Sequence, residues 1–151
     1  MLIFLDIDGV MVSGAIWKVP ETLEDGFPMF LENAVKSLNS LLTEDTKIIL
    51  STSHRDRFTL TEWKQLFRRR GIEINKLDKF PSSHGLKKRK DEILEWFATH
   101  SRPENFVIID DDKTLYGLPK DLKKHLVVTS PLVGLTRENL QEVEGLELEM
   151  A

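Results

Sequence analysis

The stretch LIFLDIDGV, residues 2–10, decides the fold of this chain. Its apolar run Leu2–Leu5 is too short for a helix and suits a buried parallel strand. Asp6 and Asp8 follow directly, and alternation along an extended chain directs both carboxylates to the same side. Gly9 then allows a tight turn and a close approach of the backbone to a ligand. Because ligands bind at the carboxyl ends of strands in open α/β sheets, the stretch indicates a divalent-cation site suited to phosphoryl transfer.

Two other interpretations of this stretch stay open on these residues alone. The aspartates of a strand-to-loop turn often do no more than accept hydrogen bonds from backbone amides. A calcium loop of the EF-hand type fits less well, because its glycine comes later and a distant glutamate must complete the site. The rest of the chain therefore has to distinguish between a ligand site and a turn.

Two further apolar runs end in polar residues of complementary type. The run at 47–50 leads into hydroxyl side chains, and the run at 106–109 leads into three carboxylates. If these runs are parallel strands, their polar ends meet at one edge of the sheet. The residues concerned are Ser51, Thr52, Ser53, Asp110, Asp111 and Asp112.

A basic segment, KKRK at residues 87–90, lies between these two runs at the start of a predicted helix over 86–100. Cations are unfavourable at a helix N-terminus, so this placement indicates a role toward an anion. Either Arg89 or Lys88 fits that role, and the sequence does not decide which. A second basic run at 68–70 ends a helix, where its cations complement the dipole.

The order of these segments resembles the haloacid dehalogenase (HAD) superfamily, most of whose members are magnesium-dependent phosphatases. The family pattern is DxD, then Ser or Thr, then Lys or Arg, then an acidic pair. A closer resemblance is to the capless HAD domain of "Swiss Army knife" RNA-repair proteins, with LDIDGV, SSSWR, RGxEIxxWL and DD. This chain reads LDIDGV, LSTSHR, RKDEILEWF and IIDDD over roughly residues 2–140. It departs at His54, usually Trp, and at Lys90, usually Gly, neither of them a metal position.

The resemblance implies catalytic roles for four residues. Asp6 is the expected nucleophile that forms an aspartyl-phosphate. Asp8 is the expected general acid and base, and crowding by other carboxylates is expected to raise its pKa. Ser51 and Arg89, with Lys88 as the alternative to Arg89, are expected to hold the phosphoryl oxygens.

The expected cofactor is Mg²⁺, since hard oxygen ligands suit it. Asp6, Asp8 through its backbone carbonyl, and Asp110 or Asp111 are the expected ligands. HAD enzymes for small metabolites commonly carry a cap domain after the first motif or after the third strand, and neither interval of this chain leaves room for one. The expected substrate is therefore a large phosphate ester, and the resemblance to RNA-repair domains favours a phosphorylated polynucleotide end. The residues expected to contact the substrate further are Thr52, Arg55, Lys87, Lys88 and Lys90.

The alternation of strand and helix patterns predicts an α/β fold, a Rossmann-like three-layer sandwich with a parallel sheet. With 151 residues, we expect one HAD-like domain over 1–151 without a cap domain. Helices are predicted over 28–42, 59–71, 86–100 and from Thr136 to Gly145, with further strands at 72–74, 105–109 and 125–128. Trp63 and Trp96 are predicted to be core residues. The family resemblance implies that Trp17 lies in a flap over 11–27, where it could contact a substrate. His54 is expected to be a solvated residue at a helix start, and the alternative is that it reaches the site from beside the hydroxyl residues of the strand end.

Composition excludes several classes of protein. The chain has no cysteine, so we expect neither disulfides nor thiol redox chemistry, and a cytoplasmic location. Its net charge of -4 argues against nucleic-acid binding by bulk electrostatics, although local basic patches remain. The apolar start is expected to be a strand rather than a signal peptide, no membrane span is expected, and no obligate protein partner can be inferred. Dehalogenation fits poorly because it needs neither Asp8 nor a metal, whereas a small-metabolite phosphatase or a non-catalytic scaffold of the same fold stays open.

Overall fold

The computed structural model describes residues 1–14, 21–83 and 85–143. Its centre is a five-stranded sheet in which every neighbouring pair is parallel, with strand order β3-β2-β1-β4-β5. The predicted parallel α/β sheet is thereby confirmed. The strands are β1 (Leu2–Leu5), β2 (Lys47–Leu50), β3 (Lys76–Lys79), β4 (Phe106–Asp110) and β5 (Leu126–Val128).

Strand β1 lies in the middle of the sheet and is buried on both faces. Ile3 and Leu5 belong to one apolar core, whereas Leu2 and Phe4 belong to another on the opposite face. This alternation explains why the whole run is apolar, since a strand covered by helices on both faces has no solvent side.

Helices cover both faces and complete the predicted three-layer sandwich. Helices α1 (Glu32–Asn39), α2 (Leu60–Arg69) and α5 (Arg137–Gln141) contribute to the larger core. Helices α3 (Arg89–Thr99) and α4 (Lys120–Lys123) pack on the other face. No cap domain is present among the described residues, and none of their helices has the length and apolar character needed to cross a membrane.

Helix α2 shows how closely local sequence sets its bounds. Thr59 accepts a hydrogen bond from the backbone of Glu62, and the Glu62 side chain accepts one from the Thr59 backbone, which is the predicted capping box. Gly71 has φ +86° just past the helix end, a conformation that L-residues with a side chain rarely adopt. Trp63 is fully buried, as predicted, and its indole N–H donates to the Arg55 carbonyl at 3.0 Å.

Several predicted bounds were wrong. The strand after α2 is not at 72–74 but at Lys76–Lys79, because it is an edge strand with mostly charged side chains. Helices α1 and α3 are shorter than predicted, and the one-turn helix α4 carried too little periodicity to be predicted. Trp96 is only partly buried, against Phe4. The flap prediction for Trp17 and the helix end at Gly145 lie outside the described residues.

Candidate active site

Strand register brings three polar residues to one edge of the sheet. Leu5 is paired with Leu50 on one side and with Ile109 on the other. The next residue of each strand therefore lies at the same level, and these residues are Asp6, Ser51 and Asp110. Backbone hydrogen bonds of 3.0 Å, from Asp6 to the Ile109 carbonyl and from Ser51 to the Leu5 carbonyl, continue the sheet to this level.

Three carboxylates form the centre of the site. Asp6, Asp110 and Asp111 each offer an oxygen, and these oxygens all lie within 4.8 Å of one another. Asp6 and Asp110 are buried, and Asp111 is half-buried. Asp110 Oδ1 accepts hydrogen bonds from the backbone N–H groups of Asp111 and Asp112, which fixes its orientation. Asp112 itself accepts from Thr114 and caps a 3₁₀ turn, so its carboxylate is not part of the cluster.

Crowding at the cluster changes its titration. Burial, followed by the neighbouring Asp110 carboxylate, raises the pKa of Asp6 well above its ordinary value. The same two causes raise the pKa of Asp111. Three ionised carboxylates this close repel one another, and a cation bound between them would offset that repulsion.

Gly9 provides the room that the cluster requires. A Cβ at this position would lie 2.1 Å from Asp111 Oδ2, and the φ of +75° is one that side-chain-bearing residues rarely adopt. The Asp111 carboxylate can therefore occupy its position only beside a glycine. Three convergent carboxylates with space beside them fit a hard divalent cation such as Mg²⁺, which prefers oxygen ligands.

Arg89 supplies the positive charge that the described residues bring to the cluster. Its Nη1 is ion-paired with Asp110 Oδ2 and lies 3.4 Å from Asp6 Oδ1. Its Nε is buried and has no hydrogen-bond partner among the described residues, so one donor of the guanidinium remains unsatisfied. Lys88 is exposed at the N-cap of α3. Of the two cations that the sequence left open, Arg89 is the one in contact with the aspartates.

Asp8 has a partner that the sequence did not predict. His54 Nε2 lies 2.8 Å from Asp8 Oδ2, and the His54 ring packs edge-on against Phe27 with ring centres 5.6 Å apart. The expectation of a solvated His54 was therefore wrong. This hydrogen bond lowers the pKa of Asp8 and raises that of His54. The expected rise in the Asp8 pKa is also wrong, since its carboxylate is outside the crowded cluster and interacts with a potential cation.

Arg55 and Thr52 are turned into the protein. The Arg55 side chain is 5% exposed, forms an ion pair with Glu92, and donates to the carbonyls of Pro81 and Thr52. A guanidinium saturated in this way is not available to substrate phosphates, so the predicted role of Arg55 is corrected to a structural one. Thr52 is fully buried, and its hydroxyl accepts a hydrogen bond from the backbone N–H of His54 at 3.2 Å. It shapes the loop that presents His54.

Sequence reasoning missed Glu92 and gave a contact of His54 with the site only as an alternative. Glu92 fixes Arg55 and lies within 3.9 Å of Arg89, while His54 contacts Asp8. A signal for Glu92 was its position three residues after Arg89, which places both on one side of a helix. For His54 the signal was its position beside the hydroxyl residues of the strand end, but nothing identified Asp8 as its partner, because Asp8 is 46 residues away in the chain.

Residues 2–140 match the family described as the HAD domain in Swiss Army Knife RNA repair proteins. The chain belongs to this family. The matched range contains all five strands and every residue of the candidate active site, so the HAD assignment and the geometry refer to the same part of the molecule. Neither the curated proteins nor the solved structures include a significant match to this HAD chain.

Proposed function

We propose that this HAD domain is a magnesium-dependent phosphomonoesterase that works through an aspartyl-phosphate on Asp6. The observation that carries the proposal is the position of Asp6 at the carboxyl end of β1, within the carboxylate cluster and 3.4 Å from the Arg89 guanidinium. Family membership supports a phosphatase-like activity, and the chemistry of the donor set supports the metal.

The first step is an in-line attack by an Asp6 oxygen on phosphorus. A new P–O bond to Asp6 forms, the ester P–O bond breaks, and the leaving oxygen takes a proton from the hydrogen-bonded pair of Asp8 and His54. Asp8 shares a hydrogen bond with His54, whose raised pKa favours a stored proton in this pair. Asp8 then accepts a proton from the water that attacks the acyl phosphate, which releases phosphate and restores Asp6.

Arg89 and Ser51 are proposed to hold the phosphoryl oxygens. The unsatisfied Nε of Arg89 is a donor that an oxyanion can use, and Ser51 stands level with Asp6 on the neighbouring strand. Mg²⁺ held by Asp6, the Asp8 carbonyl, and Asp110 or Asp111 would neutralise charge on the phosphoryl group when bound. Such donors stabilise the charge that spreads over these oxygens in a loose transition state.

The proposed substrate is a phosphorylated polynucleotide end. The absence of a cap domain among the described residues leaves the site open to a phosphate on a large molecule, and the family name refers to RNA repair. Lys87 and Lys88 are exposed beside the site and would attract adjacent backbone phosphates. A small-metabolite phosphatase and a non-catalytic nucleic-acid-binding scaffold are the alternatives.

The mechanism is tested with Asp6→Asn, which deletes the nucleophile and keeps the shape of the side chain. We expect this variant to lose nearly all magnesium-dependent hydrolysis of an aryl phosphate while its melting temperature stays near or above that of the wild type. Chelation of the metal should abolish wild-type turnover. Full activity in either case would contradict the mechanism.

The substrate class is tested by kcat/KM for a terminally phosphorylated oligonucleotide, a mononucleotide and a sugar phosphate at two salt concentrations. We expect the oligonucleotide to be preferred at low salt and to lose its advantage as salt rises, because counterion release contributes to its binding. Equal values for the three esters at low salt would favour the small-metabolite phosphatase. Absence of turnover for all of them would favour the scaffold.

A further inference from the structure

The candidate active site continues into a second cavity along helix α3. A cavity of about 430 Å³ is lined by Arg89 and Asp112 at the site and by Ser53 and Gly85 further out. A neighbouring cavity of about 140 Å³ is lined by aromatic side chains. The two cavities share four lining residues, so they adjoin as two separate parts of one groove; these residues are Ser82, Ser83, Lys87 and Glu92.

The second cavity, here called the aromatic pocket, is lined by Phe80, Pro81, Trp96 and His100. The Trp96 and His100 rings are stacked, with centres 4.2 Å apart and planes within 5° of each other. The Trp96 ring is also held edge-on by Phe4 at 4.9 Å. These contacts fix the aromatic surface before any ligand binds, which lowers the entropy that a stacking ligand would have to lose.

The charged groups around this groove are paired in a way that admits an anionic ligand. Glu92 is ion-paired with Arg55, and Glu95 is ion-paired with Lys87. Two more carboxylates line the larger cavity: Asp56 lies 3.8 Å from the Lys79 ammonium, and Asp112 accepts hydrogen bonds from Thr114. Three of the four lining carboxylates are thus ion-paired among the described residues, while Arg89 stands at the inner end of the groove. Lys87 lies at the junction of the two cavities, where its ammonium can exchange Glu95 for a phosphate.

The distance between the two cavities fits one ligand that spans both. Arg89 and Trp96 are seven residues apart on α3, which corresponds to a rise of about 10 Å along the helix. A phosphate at Arg89 and a base that packs against the stacked Trp96–His100 pair can thus belong to the same nucleotide or to adjacent nucleotides. An aromatic platform next to a cationic channel is the usual construction of a single-strand nucleic-acid site.

We propose that the aromatic pocket binds the base of a nucleotide at the phosphorylated end of a polynucleotide, with a preference for pyrimidines. This inference rests on the proposed function and adds to it the recognition of the base. Size gives the preference: a cavity of ~150 Å³ holds one benzene-sized ring. The aromatic pocket, at about 140 Å³, therefore takes the single ring of a pyrimidine more completely than the double ring of a purine.

The test fills the pocket with a side chain at an exposed position. Thr99 lines the pocket near the end of α3, and Thr99→Phe would occupy the space of the base. Ala98→Phe is the matched control, because Ala98 is also exposed on α3 but does not line the pocket. Two quantities are measured for oligonucleotides with a pyrimidine or a purine at the phosphorylated end: kcat/KM relative to an aryl phosphate, and Kd by fluorescence anisotropy in an Asp6→Asn background.

We expect the wild type to prefer the pyrimidine end. Thr99→Phe should weaken the binding of that oligonucleotide by about 5- to 160-fold, the range for loss of one base stack, and lower its kcat/KM relative to the aryl phosphate. Ala98→Phe should leave both quantities unchanged. Equal effects of the two variants, or no preference between the two ends, would contradict the proposal that the aromatic pocket binds a pyrimidine base.

The two readouts separate this inference from the proposed function. If the protein hydrolyses phosphate esters and Thr99→Phe behaves as Ala98→Phe does, the base pocket is wrong and the phosphatase proposal stands. If no ester is hydrolysed but Thr99→Phe selectively weakens binding of the pyrimidine end, the phosphatase proposal is wrong and the pocket stands.

Discussion

Asp6 and Asp8 are two residues apart, yet their carboxylates have opposite electrostatic surroundings. Asp6 is buried beside Asp110, and both conditions raise its pKa. Asp8 points to His54, and the hydrogen bond between them lowers the Asp8 pKa. Alternation along the chain puts both residues on one side of the strand end, but only their tertiary neighbours give them different chemistry. In the proposed mechanism Asp6 must be ionised to attack phosphorus, which calls for a cation at the cluster, and the proton for the leaving group depends on His54, whose pKa is raised by its hydrogen bond to Asp8.

Asp8→Asn tests that division of labour. We expect a loss of roughly 10² to 10⁴ in rate, the usual contribution of general acid-base catalysis. The first step should suffer less for esters with good leaving groups, since these need less protonation. The measurement is a burst-phase comparison of aryl phosphates whose leaving groups differ in pKa. An equal first-step loss for good and poor leaving groups would mean that Asp8 is not the acid.

Gly9→Ala tests the packing of the carboxylate cluster. The new Cβ would clash with Asp111 Oδ2, so we expect the magnesium concentration for half-maximal activity to rise several-fold. Gly71→Ala is the control, because Gly71 also has a positive φ, +86°, but its Cβ would only touch Val35 at 3.9 Å. Both variants should lose about 1–2 kcal/mol of stability from backbone strain. A similar magnesium requirement in the two variants would show that Asp111 does not need the space at Gly9.

At the scale of elements, the end of α2 is tied to the segment before α1. Arg70 donates to both Asp25 carboxylate oxygens, at 2.6 and 3.0 Å, and to the carbonyls of Phe27 and Pro28. The sequence analysis explained the basic run 68–70 only by its favourable interaction with the dipole at the helix C-terminus, and it did not predict these contacts of Arg70. Arg70 is buried, so it links two segments 45 residues apart instead of facing solvent.

The pH dependence of the free energy of unfolding measures the contribution of the Arg70–Asp25 ion pair. The hydrogen bond from Arg70 is the main cause that lowers the Asp25 pKa to about 2. A group with a lowered folded-state pKa contributes stability above its unfolded pKa near 4 and loses it as pH falls toward 2. We expect roughly 1–2 kcal/mol from this group after allowance for partial solvent contact.

The measurement is the free energy of unfolding by urea of the wild type and of Asp25→Asn between pH 5 and pH 2. The difference between the two proteins should be greatest at pH 5 and should shrink toward pH 2. Comparing the variants at each pH removes the contribution of all other carboxylates. A difference that does not change with pH would show that the Asp25 carboxylate titrates as it does in the unfolded chain.

At the scale of the whole molecule, one buried ion pair joins the loops around the site. Arg55 follows β2, and Glu92 lies on α3. Arg55 also donates to the Pro81 carbonyl, so the pair connects three segments that surround the groove. Because both side chains are nearly inaccessible to solvent, removal of one partner leaves an unpaired charge in the interior.

Arg55→Met is therefore expected to destabilise the protein by about 3–5 kcal/mol, measured by urea unfolding. The double variant Arg55→Met with Glu92→Leu should recover much of this loss, because it removes both charges. If Arg55→Met keeps wild-type stability but raises KM for an oligonucleotide, Arg55 binds substrate, as the sequence predicted.

The sequence by itself determined the central strands of the sheet, the longer covering helices and the place of the site. Apolar runs of four residues define the buried strands, and strand ends in a parallel sheet meet at one edge, so Asp6, Ser51 and Asp110 had to lie near one another. The capping box at Thr59 fixed the start of α2 for a similarly local reason. Patterns of this kind depend only on neighbours in the chain.

Tertiary structure decided which of the candidate side chains reach the site. Arg89 and Lys88 are adjacent and equally basic, yet the start of α3 directs one to Asp6 and leaves the other in solvent. Arg55 turns inward because Glu92 is there to neutralise it, and Asp8 meets His54 from another strand end. Contacts of this kind join residues 37 to 83 positions apart, and burial shifts the pKa values of their side chains, which no local pattern records.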